Sequence, residues 1–559
     1  MFLKCDITGF NVDKRALPLI KANAVVSVVA FLLAITAALL VLFTRWQVVH
    51  LLPVDWYYRI LTFHGLVALV VWIVFWEMAG LYFGSTVVLN ARQVAPGVGW
   101  LAFVLMVVGT ALVAYAVLTG QADVLFTSYT PLKAAPVHYL GIILFAVGAL
   151  IVCGLFIANI IVAKKEKTYG DGPLPLFSFG LLTAVILAIG TLLAGAAIYV
   201  PTFLWSMGLI ETVDSLMYRL VFWGFGHSAQ QVNVAAQISI WYLGAFLVVG
   251  GTSINEKVSR TAFLFYLIGI NLASAHHLLV DPIPSPSWKV VNTSYFMYLA
   301  VLASMIHAFA VPSAIEVAQR KRGFTKGLFD WIKNCPWENP AFVSIFLSIV
   351  MFGFIGGITG VINGMEQANM IIHNTLALPG HFKGTVVAGT TLTFMGATYY
   401  LIPLIFRKKI SMYGVAKAVP WAFTLGLVLL SAGLSTLGYL GVPRRHWDIT
   451  FSGGPFTYNF PQISDIFWVI AVIGGTILFL ACLAWCLVVV VSVFFGQPVR
   501  GPQDMQLTMS GLPPEDPHGD HASRFVAPGT FTLTIVWMIA FLIFISLNWG
   551  WLSMMWEVK

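Results

Sequence analysis

Charge is what this sequence has least of. Asp, Glu, Lys and Arg together make up 9% of its 559 residues, against about a quarter in an ordinary soluble chain. That is too little to cover a water-exposed surface, so a soluble globular enzyme, a coiled coil and a disordered chain are all excluded. Cysteine is scarce as well. Cys5, Cys153, Cys335, Cys482 and Cys486 make no disulfide framework, and Cys482 and Cys486, a helical turn apart, read as packed small apolar residues. The first apolar run is too long for a cleavable signal peptide, and no internal repeat of the transporter kind occurs.

What fills the chain is hydrophobic residue, 59% of the total, at a mean hydropathy of +0.89. The apolar runs have the length of about twenty residues that a helix needs to cross a bilayer, not the shorter alternating strands of a barrel. Thirteen fall at 18–45, 60–88, 97–119, 136–163, 176–205, 217–250, 260–281, 292–318, 341–364, 372–406, 417–440, 462–495 and 528–554. They predict an all-α, polytopic membrane bundle of about 13 transmembrane helices, one integral-membrane domain over 1–559. The one long polar stretch, 497–527, reads as a cytoplasmic connector. Basic residues gather on one side: Lys4, Lys14, Arg15 and Lys21 before the first run, Lys164, Lys165 and Lys167 after the fourth, Arg320, Lys321 and Arg322 after the eighth, Arg407, Lys408 and Lys409 after the tenth. The positive-inside rule then puts the N-terminus in the cytoplasm, and it accounts for the net charge of +8 without nucleic acid.

Histidine is comparatively abundant, with 12 copies against 22 Asp and Glu. The orientation gives each a depth. At about 1.5 Å per residue, His64 lies roughly 6 Å into the second run from its outer end, His227 roughly 14 Å into the sixth and His381 roughly 12 Å into the tenth. His276 and His277 close the seventh run, and His373 stands at the mouth of the tenth. Five histidines from four helices thus share the outer half of the membrane. One intramembrane His is ordinarily a helix–helix contact; five at one level point to a site, and neutral imidazole is the commonest metal ligand. Neighbours on a helix point about 100° apart, so His276 and His277 reach one metal only where a helix end distorts. Asp281-Pro282-Ile283-Pro284 supplies that end. These residues predict a buried redox metal centre with haem.

The fragments around these histidines carry a resemblance. Leu61-Thr62-Phe63-His64-Gly65, Phe222-Trp223-Gly224-Phe225-Gly226-His227, His276-His277 with Asp281-Pro282 and Trp288-Lys289, Pro336-Trp337-Glu338-Asn339-Pro340-Ala341-Phe342, His373-Asn374-Thr375, Pro379-Gly380-His381-Phe382 and Val442-Pro443-Arg444-Arg445 span nearly the whole chain. Their order and spacing resemble subunit I of the haem-copper oxidase superfamily, and within it the B family. The resemblance implies a bacterial or archaeal cytoplasmic membrane. It implies that His227, His276 and His277 hold a non-haem metal, copper or iron, and that His381 is the axial ligand of a high-spin haem facing it. His64 would be one ligand of a low-spin haem that supplies electrons. Arg444 and Arg445 would bind haem propionates, which guanidinium forks suit, with His373 and Asn369 in the same region. Haem type, a or b, stays open.

Two positions depart from the family pattern. In its oxidases a tyrosine follows the first metal histidine by four residues, on the same helix face, and is covalently linked to it. Here Gly226-His227-Ser228-Ala229-Gln230-Gln231 puts Gln231 in that place. Breaking the O–O bond takes four electrons at once, one of them thought to come from the tyrosine; glutamine cannot give it. Coupling two NO to N2O takes only two, and the familiar NO reductases lack the tyrosine. Gln231 with His227, His276 and His277 is therefore expected to make an NO-reducing catalytic site. The alternatives are a terminal cytochrome c oxidase, reducing O2 to water with proton uptake, and a degenerate non-catalytic subunit or a transporter. Tyr242, fifteen residues on from His227 and roughly 22 Å away, is too deep to substitute. The second departure is His381-Phe382-Lys383, where the family has His-Phe-His. Lys383 is expected to ligate the low-spin haem as a neutral amine opposite His64. A five-coordinate haem, a ligand from elsewhere and an absent haem stay open.

Protons are expected to travel from the cytoplasm by Glu316, near the inner end of the eighth run, His307 on the same helix, and Ser239 and Tyr242 on the sixth. Glu316 and His307 are roughly 14 Å apart along the helix, so waters must intervene. The other reading of Glu316 is a pairing with the basic loop at Arg320, Lys321 and Arg322. Glu77, in the second run, is a further buried carboxylate with no obvious partner. The chain has no Cys-x-x-Cys-His and no cupredoxin segment. Electrons are therefore expected from another polypeptide on the outer face, a subunit II with a dinuclear copper centre or a c-type cytochrome subunit. Soluble cytochrome c or a cupredoxin would be the donor, and membrane lipid the remaining partner.

Overall fold

A computed structural model describes residues 2–7, 9–509 and 526–555, so most of the predicted connector 497–527, with His518 and His521, lies outside the described residues. The chain folds into α1 (Ala16–Arg45), α2 (Val54–Val87), α3 (Pro96–Leu118), α4 (Pro136–Lys165), α5 (Leu176–Ser206), α6 (Ser215–Val249), α7 (Glu256–Leu272), α8 (Pro286–Lys321), α9 (Pro340–Gly364), α10 (Ala377–Phe406), α11 (Tyr413–Tyr439), α12 (Ile463–Phe495) and α13 (Pro528–Met555). Twelve of these, among the described residues, are long and apolar enough to cross a membrane. The seventh predicted run is present too: α7 is 17 residues long and is prolonged by a 3-10 turn, Ala273–His277. A two-stranded hairpin, Phe2–Lys4 with Asn11–Asp13, precedes the bundle.

Local chemistry explains where the helices begin. Pro96, Pro136 and Pro340 occupy first turns, where a missing N–H costs nothing. Asp214 caps α6 by accepting from Leu216 N at 2.8 Å and Met217 N at 3.0 Å. Between helices, small residues set the approach. A Cβ on Gly109 of α3 would stand 2.5 Å from the Gly141 carbonyl of α4, and one on Gly426 of α11 2.8 Å from the Gly474 carbonyl of α12. Backbones this close are how helices gain contact where lipid removes the hydrophobic drive. Wide π-turns interrupt α2 at Val67–Val71 and α10 at Lys383–Thr391, each shortly after a histidine of interest. Such turns shift the register of the side chains around a site.

Glu316 is fully buried on α8, and its surroundings differ from the expected proton entry. One carboxylate oxygen accepts from Arg320 Nε at 2.7 Å and Gly529 N at 3.0 Å, the other from Thr530 N at 2.6 Å and Thr530 Oγ1 at 2.7 Å. It caps the N-terminus of α13 and ties that peripheral helix to α8, favoured by the helix dipole. The pairing with the basic loop is the reading that fits. Glu316→Gln keeps an acceptor but loses the charge. It is expected to lower stability by about 1 kcal/mol, read as an earlier thermal midpoint in detergent, with turnover retained.

Candidate metal and haem site

The 3-10 turn answers the problem posed by two adjacent histidines. His276 and His277 sit at its end, where the backbone leaves the helix, and both rings face His227 of α6. Ring centroids are 4.6 Å apart for His227–His276, 5.3 Å for His227–His277 and 4.1 Å for His276–His277. One ligand nitrogen from each lies within 4.8 Å of the others. His227 Nδ1 and His277 Nε2 approach to 3.2 Å, while His227 Nε2 and His276 Nδ1 are buried with no partner. Three imidazoles whose ligand nitrogens lie this close together fit a shared cation.

The turn is held from α8. Asn292 accepts from Ala275 N at 3.0 Å and donates to the Leu272 carbonyl, bracketing the turn on both sides. Lys289 Nζ, buried, donates to the Leu279 carbonyl at 2.9 Å and the Asp281 carbonyl at 2.6 Å. Asp281 in turn pairs with Arg219 at 2.8 Å. Trp223 lies flat on His277, with centroids 3.8 Å apart and planes 4° from parallel. Asn292, Lys289 and Arg219 were not singled out from sequence. The Trp-Lys pair lay inside a quoted fragment, but only the fold shows what the lysine grips.

Across a cavity of about 390 Å³ from the three histidines stands His381 on α10. Its Nδ1 is 2.9 Å from Thr359 Oγ1 of α9, which fixes the ring and leaves Nε2 as the nitrogen that could hold a haem iron. Gly360 leaves the ring its place, since a Cβ there would be 3.0 Å from His381 Cε1. Gln231 lines this cavity together with Gln230, His373, Asn369, Arg444 and Arg445. His373 Nδ1 is 3.0 Å from Asn369 Oδ1. Burial, then Arg444, Arg219 and Arg445, push the His373 imidazole down to about 4, so it stands neutral. Burial holds the Arg444 guanidinium well below its usual range, and Arg445 adds to this. Arg444 Nε and Arg445 Nη2 are buried without partners, and Arg45, another buried arginine, donates to the Pro443 carbonyl beside them. Such a cation excess fits buried carboxylates such as haem propionates.

His64 does not line that cavity. Its Nδ1 is 3.1 Å from the Ala34 carbonyl, again leaving Nε2 free, and Lys383 comes close enough to it to interact electrostatically. No hydrogen bond or ion pair holds Lys383 Nζ among the described residues. The donor set suits a second haem.

Of the predicted proton residues, Tyr242 and His307 are brought together: the Tyr242 hydroxyl is 2.9 Å from His307 Nδ1 and 2.9 Å from Ser259 Oγ, which is 2.8 Å from Ser253 Oγ. Tyr266, bonded to Ser304 at 2.8 Å, stacks on His307, and Ser304 lines the cavity. Ser239 is not part of this chain: its hydroxyl donates to the Ala235 carbonyl of its own helix at 2.7 Å. Ser253, Ser259, Tyr266 and Ser304 are ordinary residues in sequence, and nothing marked them beforehand.

A bundle of this size that presents three converging imidazoles to a facing histidine belongs among membrane-embedded haem–metal oxidoreductases. The family description "Cytochrome C and Quinol oxidase polypeptide I" matches residues 19–477, and the chain belongs to this family. Cytochrome c oxidase subunit 1 of Thermus thermophilus is 31% identical over 493 residues, 82% of this chain and 83% of that protein. An alternative cytochrome c oxidase subunit 1 of Bradyrhizobium diazoefficiens is 24% identical over 382 residues, 62% of this chain and 57% of that one. A solved haem-copper terminal oxidase dimer superposes with a TM-score of 0.82 at 25% identity, covering 96% of this chain and 92% of that one. The family implies haem groups and a copper centre, and the residues described above fit both.

If Asn292 sets the turn, Asn292→Leu is expected to weaken non-haem metal binding about tenfold or more. Haem content should be unchanged. Metal analysis beside optical spectra of the purified protein checks this.

Proposed function

We propose that the chain is the catalytic subunit of a respiratory membrane enzyme that reduces nitric oxide to nitrous oxide. The observation that carries this reading is Gln231, which lines the cavity four residues after His227, where the resemblance puts the oxidases' linked tyrosine; the phenol that does line the cavity, Tyr129, comes from outside α6. Tyr242, the nearest tyrosine further along α6, is bonded to His307 and Ser259 instead. Two NO, two electrons and two protons give N2O and water; a haem and a non-haem metal, when bound, would supply the electrons. His227, His276 and His277 would hold that metal, His381 would hold the haem, and Arg444 and Arg445, with His373 and Asn369, would receive its propionates. Gln231 offers an amide to orient substrate or water and cannot be oxidised. Protons enter from the basic, cytoplasmic face through Ser253, Ser259, Tyr242 and His307, and the outer-face donor is a subunit II or a c-type cytochrome. Glu316 stays in its capping role.

Reduction of O2 is the second reading. It is favoured by the curated relatives, which are named as oxidases of cytochrome c or quinol. Supplying the reduced enzyme with NO and with O2 separately decides between them. Faster N2O formation is expected, and faster O2 consumption would reverse the order.

Lys383 is proposed as the second ligand of the low-spin haem, opposite His64. Lys383→Met is expected to shift the low-spin signal in optical and EPR spectra while the high-spin haem stays unchanged. A wild-type spectrum of ordinary bis-histidine type would rule the lysine out.

A further inference from the structure

The chemistry above gives α13 no part, and this helix lies beyond residue 477, where the family match ends. Only 6% of its most apolar stretch is buried, against 33% or more in the other spanning helices. Yet one stripe of it faces inward. Thr530, Leu533, Thr534, Trp537 and Phe541 recur with helical period along one face roughly 16 Å long. All five line the cavity in which His381 stands.

The cavity reaches the flank of the bundle between α8 and α9. Ala308 of α8 and Phe354 of α9 line it and are exposed on the bundle's outside, Phe354 at 38%. α13 packs on both helices and is fixed at two places. At its start, Glu316 accepts from Gly529 N and Thr530 N. Gly529 is required for that fit, because a Cβ there would press on the Leu328 carbonyl and stand 2.5 Å from Trp331 Nε1. Further along, Trp537 and Phe541, stacked with centroids 5.3 Å apart, pack with Ile545 against Ile358, Ile362 and Ala368. Such anchors are needed, since lipid tails are as apolar as the helix and give it no drive to dock. By the same reasoning an apolar cavity open to the bilayer would take up acyl chains at no hydrophobic cost. Those chains would compete with whatever His381 holds.

We propose that α13 completes the high-spin haem site as the wall that closes the cavity toward lipid. Leu533, Thr534 and Trp537 stand in the opening between α8 and α9, keeping the haem in and acyl chains out. His64 and Lys383 do not line this cavity, so the low-spin haem is not under the same wall. The proposal rests on a haem at His381, which the family implies, and is independent of whether NO or O2 is reduced.

The test follows haem loss from the intact holoenzyme in phospholipid nanodiscs, with excess apomyoglobin as the acceptor. Carbon monoxide difference spectra of the reduced protein report the high-spin haem, and the low-spin bands are read in parallel. Trp537→Ala opens the wall and Gly529→Val spoils its anchor. Each is expected to lose high-spin haem severalfold faster than wild type with the low-spin haem retained, and Trp537→Phe should stay close to wild type. Loss at the wild-type rate in both Trp537→Ala and Gly529→Val would overturn the proposal. So would equal loss of both haems, which marks general loosening and not an opened wall. A wild type that starts without haem at His381 would overturn the haem reading itself, and the wall with it.

Discussion

Three imidazoles pressed together inside a lipid-embedded bundle are unfavourable by themselves. Their nitrogens are too close for each to find a separate donor or acceptor, and two of them find none. A cation bound between them turns that defect into the most stable point of the region, because neutral imidazole is a good ligand and the ion replaces all the missing partners at once. Much of the local architecture serves that contact. The 3-10 turn exists because consecutive residues on an α-helix cannot both face His227, and Asn292 and Lys289 exist in this setting because a turn that departs from helix exposes carbonyls needing donors. Arg219 extends the hold by gripping Asp281 just past the turn.

The same reasoning runs with opposite sign at the arginines. Arg45 is buried and Arg444 and Arg445 half-buried around one loop, and Asp281 is already taken by Arg219. Buried guanidinium groups without counter-ions are as unfavourable as the bare imidazoles. A haem held by His381 would bring carboxylates that could offset the charge of these guanidinium groups. Metal ligands and anion receptors therefore form a single unit, and removing either group would leave the other strained.

Legibility from sequence followed the same physical divide. The helices were readable because a bilayer demands long apolar runs, and α1 and α12 begin and end within two residues of expectation. His64, His227, His276, His277, His373 and His381 were readable because a buried ionisable residue is rare. Hidden were the residues whose role depends on which neighbour the fold supplies. Thr359, Asn292 and Ser259 are common in any membrane helix, and only tertiary contact makes them a ligand brace, a clamp and a relay. Glu316 shows the converse. Its rarity marked it as functional, yet a helix 213 residues further on uses its charge as a cap. Rarity signals that a residue matters and says nothing of how.

On the proposed reading, Gln231 separates two duties that the resemblance gives to one tyrosine, giving an electron and passing a proton. Gln231 removes the first outright. The second need not vanish with it, because the Ser253–Ser259–Tyr242–His307 chain is intact and the cavity is lined by Ser304 and by the amides of Gln230 and Gln231. A degenerate subunit would have no reason to keep that chain, the three metal histidines and the brace on His381 while losing one phenol. On the proposed reading, loss of the electron-giving group with the proton chain and the three histidines kept is what a two-electron reduction would leave behind.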